Sequence, residues 1–308
     1  MKKGLLYSTL VGLVMLFGTT MLSAQNEFML AEQMFSRINK NPAATGNSLD
    51  IDVFLLHRQQ WVGFGKGRPM STLMNVHSYF DKAKSGVGLS ISHDMAGVGY
   101  QTINAKVAYS YQIDLWKKGI LSLGVSGGIL NKNFDPREHV LKDIGDMNFP
   151  DERVNRVNPD FDFGLEFSTP WVMVGGAVNH IGMLNKNIPE TLSPKQSYTA
   201  YVRGNIKAGE ICNLIPAVTY MNSSQFHVYD ANFTAFFVEK YWIGLGARYT
   251  KPISAMIASL GFEWNFLRIG YTYELSLGQV SNVSYHTHEV TLSFKIPTNR
   301  CKPKPVEE

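Results

Sequence analysis

The chain has 308 residues, of which 44% are hydrophobic, 12% aromatic and only 18% charged. Its net charge is +4, and the sequence contains no block of like charges. Many aromatic residues and 27 glycines with few charges favour β-sheet and disfavour a helical bundle or a disordered chain. The weak, dispersed charge argues against nucleic acid as a partner, and two cysteines are too few for a disulfide scaffold or a cysteine-rich zinc site.

Residues 1–24 have the layout of a secretory signal peptide. Two lysines precede an uncharged apolar run from Leu5 to Met21, and Ala24 supplies a small residue at a cleavage point before Gln25. A membrane-anchor helix is the alternative, but the run is short for a span and no basic stop follows it. No later segment is apolar enough for a transmembrane helix. We therefore expect an exported chain that is either soluble beyond the inner membrane or an outer-membrane barrel.

The next segment, residues 25–48, is predicted to lie on the periplasmic side of such a barrel or inside its lumen. Apolar residues recur at near-helical spacing from Phe28 to Ile38. Asn41 followed by Pro42 favours a turn, because proline keeps the preceding residue extended. We expect a short helix that packs at or inside the barrel base and ends before Pro42.

Residues 49–296 contain runs with a period of two, as expected for strands that alternate lipid-facing apolar and lumen-facing polar side chains. In the run 266–276 the leucine, isoleucine and tyrosine residues share one face, whereas Arg268 and Glu274 share the other. The predicted strands span approximately 49–61, 71–80, 85–93, 98–113, 119–131, 159–168, 171–180, 197–207, 211–222, 226–237, 241–250, 254–264, 266–276 and 286–296.

Connection lengths support a transmembrane barrel with both termini in the periplasm. Every second connection is short, and the other set contains all the long loops, which are 62–70, 132–158, 181–196 and 277–285. Outer-membrane barrels have short periplasmic turns and long outer loops, with aromatic girdles at both interfaces. Aromatic residues near the strand ends favour this fold over a soluble β-sandwich.

The predicted fold class is therefore all-β, a transmembrane antiparallel outer-membrane β-barrel of about 14 strands with a short N-terminal helical or plug-like segment. Residues 297–308 are predicted to form a periplasmic C-terminal tail.

Charges of both signs are predicted on the lumen face. Mixed signs favour a filled lumen over an ion-selective channel, because a selective pore favours one sign. The pattern leaves open whether the lumen is open or plugged. The predicted lumen charges are Arg203, Arg248, Glu263, Arg268, Glu274 and Glu289.

Candidate chemistry is sparse. His286 and His288 share one strand face, but two ligands on an apolar face do not make a metal site, so a role at the rim is preferred. His93 and His180 at strand tops leave a barrel hydrolase as a weak alternative, although no nucleophile elbow is present. Loop 132–158 interleaves acids with bases and lacks calcium-loop spacing. We therefore predict no catalytic residue, metal or cofactor.

Cys212 and Cys301 both fall on the periplasmic side by loop parity. The periplasm permits a disulfide, but their strands are not neighbours. The tail from Ile296 to Cys301 reaches about 17 Å, whereas the straight distance across the mouth between the two strands is roughly 25 Å. Two thiols that do not pair with each other are expected.

The N-terminal third carries a motif that resembles the PorP/SprF family. Its residues are Asn41, Pro42 and Ala43, then His57, Arg58, Gln60, Trp61, Gly63 and Phe64 around the end of the first strand, and His77 in the second. The resemblance runs over most of the chain, and its most specific part is the run from Gln60 to Phe64.

The resemblance implies an outer-membrane barrel of Bacteroidota that serves the type IX secretion system and is not an enzyme. It implies periplasmic partners, namely the PorK/PorN lipoprotein ring and a PorE-like peptidoglycan-binding protein. Outer-membrane lipid surrounds such a barrel, and some family members assist secreted cargo, including gliding adhesins. The predicted function is to anchor or adapt these periplasmic proteins and to support secretion of surface proteins. The alternative is a porin-like channel for small solutes or lipids.

Overall fold

The computed structural model describes residues 30–31, 35–65, 67–116, 118–136, 153–181, 195–223, 226–250, 253–278, 281 and 286–298. The predicted signal peptide, Cys301 and most of the predicted tail lie outside these residues. Within them, no helix combines the length and the apolar character that a membrane span needs.

Antiparallel strands make up nearly all of the described structure. They are β1 (Ile51–Gln59), β2 (Met70–Phe80), β3 (Ser85–Met95), β4 (Tyr100–Trp116), β5 (Gly119–Phe134), β6 (Val154–Ser168), β7 (Val172–Ile181), β8 (Ser197–Gly204), β9 (Ile206–Lys207), β10 (Cys212–Ser223), β11 (Phe226–Phe237), β12 (Tyr241–Tyr249), β13 (Ile253–Trp264), β14 (Leu267–Gly278) and β15 (His286–Ile296). Two short 3-10 helices, Pro42–Ala44 and Asp81–Ala83, complete the regular elements described.

The strands form a closed barrel. Neighbouring strands pair along the chain, and β15 returns to pair with β1, from Ile51 opposite Ile296 to Gln59 opposite His288. β8 and β9 both pair with β10 and are separated only by Asn205, so together they form one strand of the wall. The fifteen strand elements therefore make a wall of fourteen, which confirms the predicted fold class.

The two ends of the barrel differ in their connections. At one end, which we call the turn end, no connection between strands exceeds four residues. The opposite end, which we call the loop end, carries all the long loops. Because outer-membrane barrels have short periplasmic turns, we expect the turn end on the periplasmic side.

The predicted loop 132–158 is longer than the connection that the structure shows. β5 continues to Phe134 and β6 begins at Val154, and these two residues are partners in the ladder. The added strand residues are mostly polar and lie beyond the apolar, lipid-facing band of the barrel. The alternation of apolar and polar residues, which marks a strand in the sequence, is therefore lost there. The connection between these two strands comprises residues 135–153.

Side chains alternate between lipid and lumen as predicted. On β12, Trp242 and Arg248 are buried, whereas Ile243 and Leu245 are 58% and 71% exposed on the outer face. Outward aromatic residues gather near both ends. They include Trp116, Trp171, Tyr241 and Trp264 towards the turn end and Tyr198, Tyr229 and Tyr249 towards the loop end.

The described residues of the N-terminal segment lie inside the lumen, and they do not form the predicted helix. We call residues 30–31 and 35–46 the plug. Residues 38–40 form a turn, and the 3-10 helix Pro42–Ala44 follows, with Asn41 Oδ1 accepting a hydrogen bond from Ala43 N at 2.9 Å. Side chains of the wall form hydrogen bonds with backbone groups of the plug. Backbone groups that are satisfied in this way do not need the hydrogen bonds of a helix.

Candidate functional site

The plug is held at the loop half of the lumen by its backbone. Arg248 Nη2 donates to Leu30 O at 2.9 Å, and Ala31 N donates to Glu289 Oε2 at 3.1 Å. Both wall residues are almost fully buried. The segment is therefore fixed by groups that are charged and shielded from bulk water, where hydrogen bonds are strongest.

These two wall residues belong to a cluster of five charges, which we call the buried charge cluster. Arg58 bridges Glu274 at 2.9 Å and Glu289 at 3.1 Å, and Arg248 bridges Glu274 at 2.9 Å and Asp230 at 3.1 Å. No side chain in the cluster is more than 6% exposed. Buried charges are tolerated only when paired and hydrogen-bonded. The cluster links β1, β11, β12, β14 and β15 along one side of the lumen.

A second anchor fixes the middle of the plug. Arg37 Nε lies 3.1 Å from Glu166 Oε2, and the Tyr201 hydroxyl donates to the same carboxylate. Asn41 Nδ2 donates to the Tyr201 hydroxyl at 2.9 Å and to Leu165 O at 3.0 Å. The plug thus joins β6 and β8 through side chains that are buried on both partners.

Apolar packing supports the plug on the other side. A core cluster inside the lumen consists of Leu30, Phe35, Phe54, Leu56, Leu73 and Trp242. The rings of Phe35 and Trp242 are 4.8 Å apart, and the guanidinium carbon of Arg268 lies 4.4 Å from the centre of the Phe35 ring. Lumen-facing apolar side chains of the wall would otherwise meet water, so the plug is part of the barrel's core.

Glycines of the wall allow the plug backbone to lie close against the strands. Gly124 on β5 and Gly164 on β6 face the lumen, and a Cβ atom on either would overlap the plug at Ala43 or Asn41. Towards the turn end, Ser110 Oγ donates to Thr45 O at 2.6 Å. The wall is therefore shaped to the plug backbone.

A separate ionic group lies at the loop half, on the wall opposite the buried charge cluster. Lys106 Nζ lies 2.7 Å from both Asp160 and Asp162, and His180 Nδ1 lies 2.9 Å from Asp160. The two carboxylates and the histidine lie close enough together to hold a cation. The lysine ammonium already occupies that position, so the group is an ion-pair network.

The predicted lumen charges all lie on the lumen face, but in two places. Arg248, Glu274 and Glu289 belong to the buried charge cluster. Glu263 and Arg268 lie near the turn end, with 2.5 Å between their charged atoms, and Glu263 also pairs with Lys295 at 2.9 Å. Arg203 lies on the same face of β8 as the buried Tyr201.

The residues of the PorP/SprF-like motif divide by location. Inside the lumen lie Asn41, Pro42, Ala43, Arg58 and His77. At the loop end, directly after β1, lie Gln60, Trp61, Gly63 and Phe64. His57 instead faces outward, where its Nδ1 lies 3.0 Å from Thr72 Oγ1.

The motif joins the first connection of the loop end to the last strand. Val62 N donates to His286 O at 2.9 Å, and Trp61 N donates to Thr287 Oγ1 at 3.3 Å. Gln60 accepts from Arg58 Nε at 2.9 Å when its amide oxygen faces the guanidinium. The motif therefore couples the loop to the buried charge cluster beneath it.

The histidine pair on β15 lies on the outer face at the loop end. Tyr273 and Tyr271 hydroxyls contact His286 Nδ1 at 2.5 Å and His288 Nδ1 at 2.6 Å. The aromatic pairs span neighbouring strands β14 and β15. This arrangement fits the rim role that the sequence favours. Cys212 is a free thiol near the turn end.

Several residues that hold the plug were not anticipated from the sequence, among them Arg37, Glu166 and Tyr201. One signal was available in β1, where Phe54 and Leu56 fall on the face that also carries Asp52 and Arg58. Apolar residues on a lumen face require an apolar partner inside the barrel.

The geometry can be compared with known proteins. A family model described as "Type IX secretion system membrane protein PorP/SprF" matches residues 22–294, which is most of the chain. No curated protein sequence matches this chain. Solved outer-membrane structures are similar in fold.

Three of these structures illustrate the likeness. The CymD monoaromatic hydrocarbon channel is 13% identical with a TM-score of 0.57, covering 90% of this chain and 96% of its own. The Ralstonia pickettii toluene transporter TbuX is 12% identical with a TM-score of 0.58, covering 85% and 94%. A Pseudomonas aeruginosa FadL homologue is 10% identical with a TM-score of 0.53, covering 85% and 94%. At these identities the likeness shows the fold, which points to the outer membrane.

Proposed function

The chain belongs to the PorP/SprF family of type IX secretion system membrane proteins, and from that premise we propose that it is a non-enzymatic adaptor of the secretion machinery. It anchors periplasmic ring and peptidoglycan-linked proteins at the outer membrane of a Bacteroidota cell and supports secretion of surface proteins. The proposed partners are a PorK/PorN-type lipoprotein ring and a PorE-like peptidoglycan-binding protein.

The observation that carries this proposal is the occupied lumen. The plug crosses the barrel and is held by buried ion pairs, hydrogen bonds and apolar packing on several strands. A barrel filled by its own chain supports an adaptor, whose working surfaces are its two ends, more than a diffusion pore.

The turn end offers the surface for periplasmic partners. Its short turns carry exposed lysines, including Lys82, Lys118 and Lys240. Lys84 is also exposed but pairs with Asp114 at 2.8 Å. Charges at the rim of an interface mainly set the association rate and the choice of partner, so reversing them is a sensitive test.

Affinity purification of the tagged protein from its native membrane tests the proposal. We expect periplasmic type IX components to co-purify with it, and the pair Lys82→Glu and Lys240→Glu to reduce their recovery several-fold. The matched control pair, Arg68→Glu and Arg153→Glu, reverses two charges at the loop end and should leave recovery unchanged. Equal recovery from both pairs, or no type IX component with the unmodified protein, would contradict the adaptor function.

A channel for small molecules is the second candidate. It is favoured by the fold shared with the CymD channel and the TbuX transporter, and by a cavity between the plug and the wall. Apolar side chains such as Ile215 and Ile257 line part of that cavity. Uptake of a small apolar solute by cells that carry the protein, absent from cells that lack it, would favour this candidate.

A further inference from the structure

An open cavity lies at the loop half of the lumen, next to the plug. It is lined by polar side chains of the wall, and lysines reach it from several elements. These are Lys40 from the plug, Lys106 from β4, Lys132 from β5 and Lys195, which precedes β8. The cavity is separate from the contacts that hold the plug to the buried charge cluster.

Lys132 is the informative residue in this cavity. Its side chain is only 5% exposed, and its Nζ has no hydrogen-bond partner among the described residues. A buried ammonium without a partner is strongly unfavourable. Such a group in a polar cavity indicates a place for a negatively charged ligand.

The neighbouring strand strengthens the argument. Lys132 on β5 lies directly opposite Arg156 on β6, and both side chains belong to the lumen face of their strands. Like charges directly opposite each other destabilise a sheet. Arg156 is exposed, and its one described hydrogen bond is a long contact of 3.5 Å to Asn155 O. An anion between the two cations removes the repulsion.

The described carboxylates near the cavity are already engaged. Asp160 and Asp162 bind Lys106 at 2.7 Å, and Asp94 accepts a hydrogen bond from Ser71. The positive charge of Lys132 and Arg156 is therefore not met by an acid of the described wall.

We propose that this cavity is a binding site for a small oxyanion, such as a phosphate group, that enters from the loop end. Lys132 is its central ligand, with Arg156 at the entrance. Hydroxyl groups of the wall, including Thr102 and Ser92, supply further hydrogen bonds. The phosphate group comes either from free phosphate or from a phosphorylated sugar.

Equilibrium dialysis of the full-length folded protein in detergent against radiolabelled phosphate tests the site. We expect saturable binding with one site per chain, and Lys132→Met should weaken it at least tenfold. Lys132→Arg keeps the charge and should bind within a few-fold of the unmodified protein. The matched control is Lys84→Met, which removes an exposed lysine at the turn end and should not change binding.

A second arm distinguishes the two sources of the phosphate group. If glucose 6-phosphate binds more tightly than inorganic phosphate, the cavity also recognises a sugar, and equal affinity indicates the free anion. Lys132→Met is expected to stay folded, as heat-modifiability gels will show, because it removes an unpaired buried charge. No saturable binding of either probe at millimolar concentration, or equal binding by Lys132→Met, would overturn the proposal.

Discussion

Replacing Arg58 by methionine is expected to lower the free energy of unfolding by about 3–5 kcal/mol, the usual cost of leaving a buried charge without its partner. Arg58 is 2% exposed and contacts both Glu274 and Glu289. Methionine fills a similar volume but donates no hydrogen bond. Two buried carboxylates then share the remaining arginine of the cluster, Arg248.

Lys84→Met is the matched control for this prediction. It also removes a cation from an ion pair, with Asp114 at 2.8 Å, but the two side chains are 51% and 61% exposed. Exposed pairs contribute little, so we expect a loss below about 1 kcal/mol. Urea unfolding in detergent micelles measures both variants. Similar losses for the two would mean that the buried charge cluster does not stabilise the barrel.

Replacing Gly124 by valine is expected to expel the plug from the lumen. A Cβ atom at this position overlaps backbone atoms of Pro42 and Ala43, which cannot rotate away as a flexible side chain could. Arg37 and Lys40, which are 8% and 7% exposed in the unmodified protein, should then become accessible to trypsin. We expect cleavage at these residues to become at least tenfold faster.

Gly176→Val is the matched control, since it makes the same change on the lipid-facing side of β7. The nearest atom to its Cβ position is Thr199 O at 3.5 Å, an ordinary contact. This variant should keep the plug protected from trypsin. If Gly124→Val were equally resistant, the plug would not rest against β5 as described.

The barrel could be predicted from the sequence because strand alternation and loop length are local signals. The lumen face of β12, with Trp242 and Arg248, follows from counting residues in one strand. Which charges meet inside the barrel does not follow, because it depends on strands far apart in the chain. Arg58 and Glu289 are 231 residues apart, and Arg37 and Glu166 are 129 apart.

The plug was predictable only in outline. The turn at Pro42 followed from the sequence, whereas the helix before it did not form in the described residues. Helical spacing of apolar residues predicts a helix that packs on a single apolar surface. The lumen instead presents charged, polar and apolar walls on different sides, and Arg37 and Phe35 turn towards different walls.

Conductance in planar lipid bilayers tests most directly whether the barrel is closed by its own plug. We expect the unmodified protein and Gly176→Val to insert without stable open-channel steps, and Gly124→Val to produce steps of uniform size. Stable steps of the same size from all three proteins would contradict a closed lumen and would favour the channel over the adaptor.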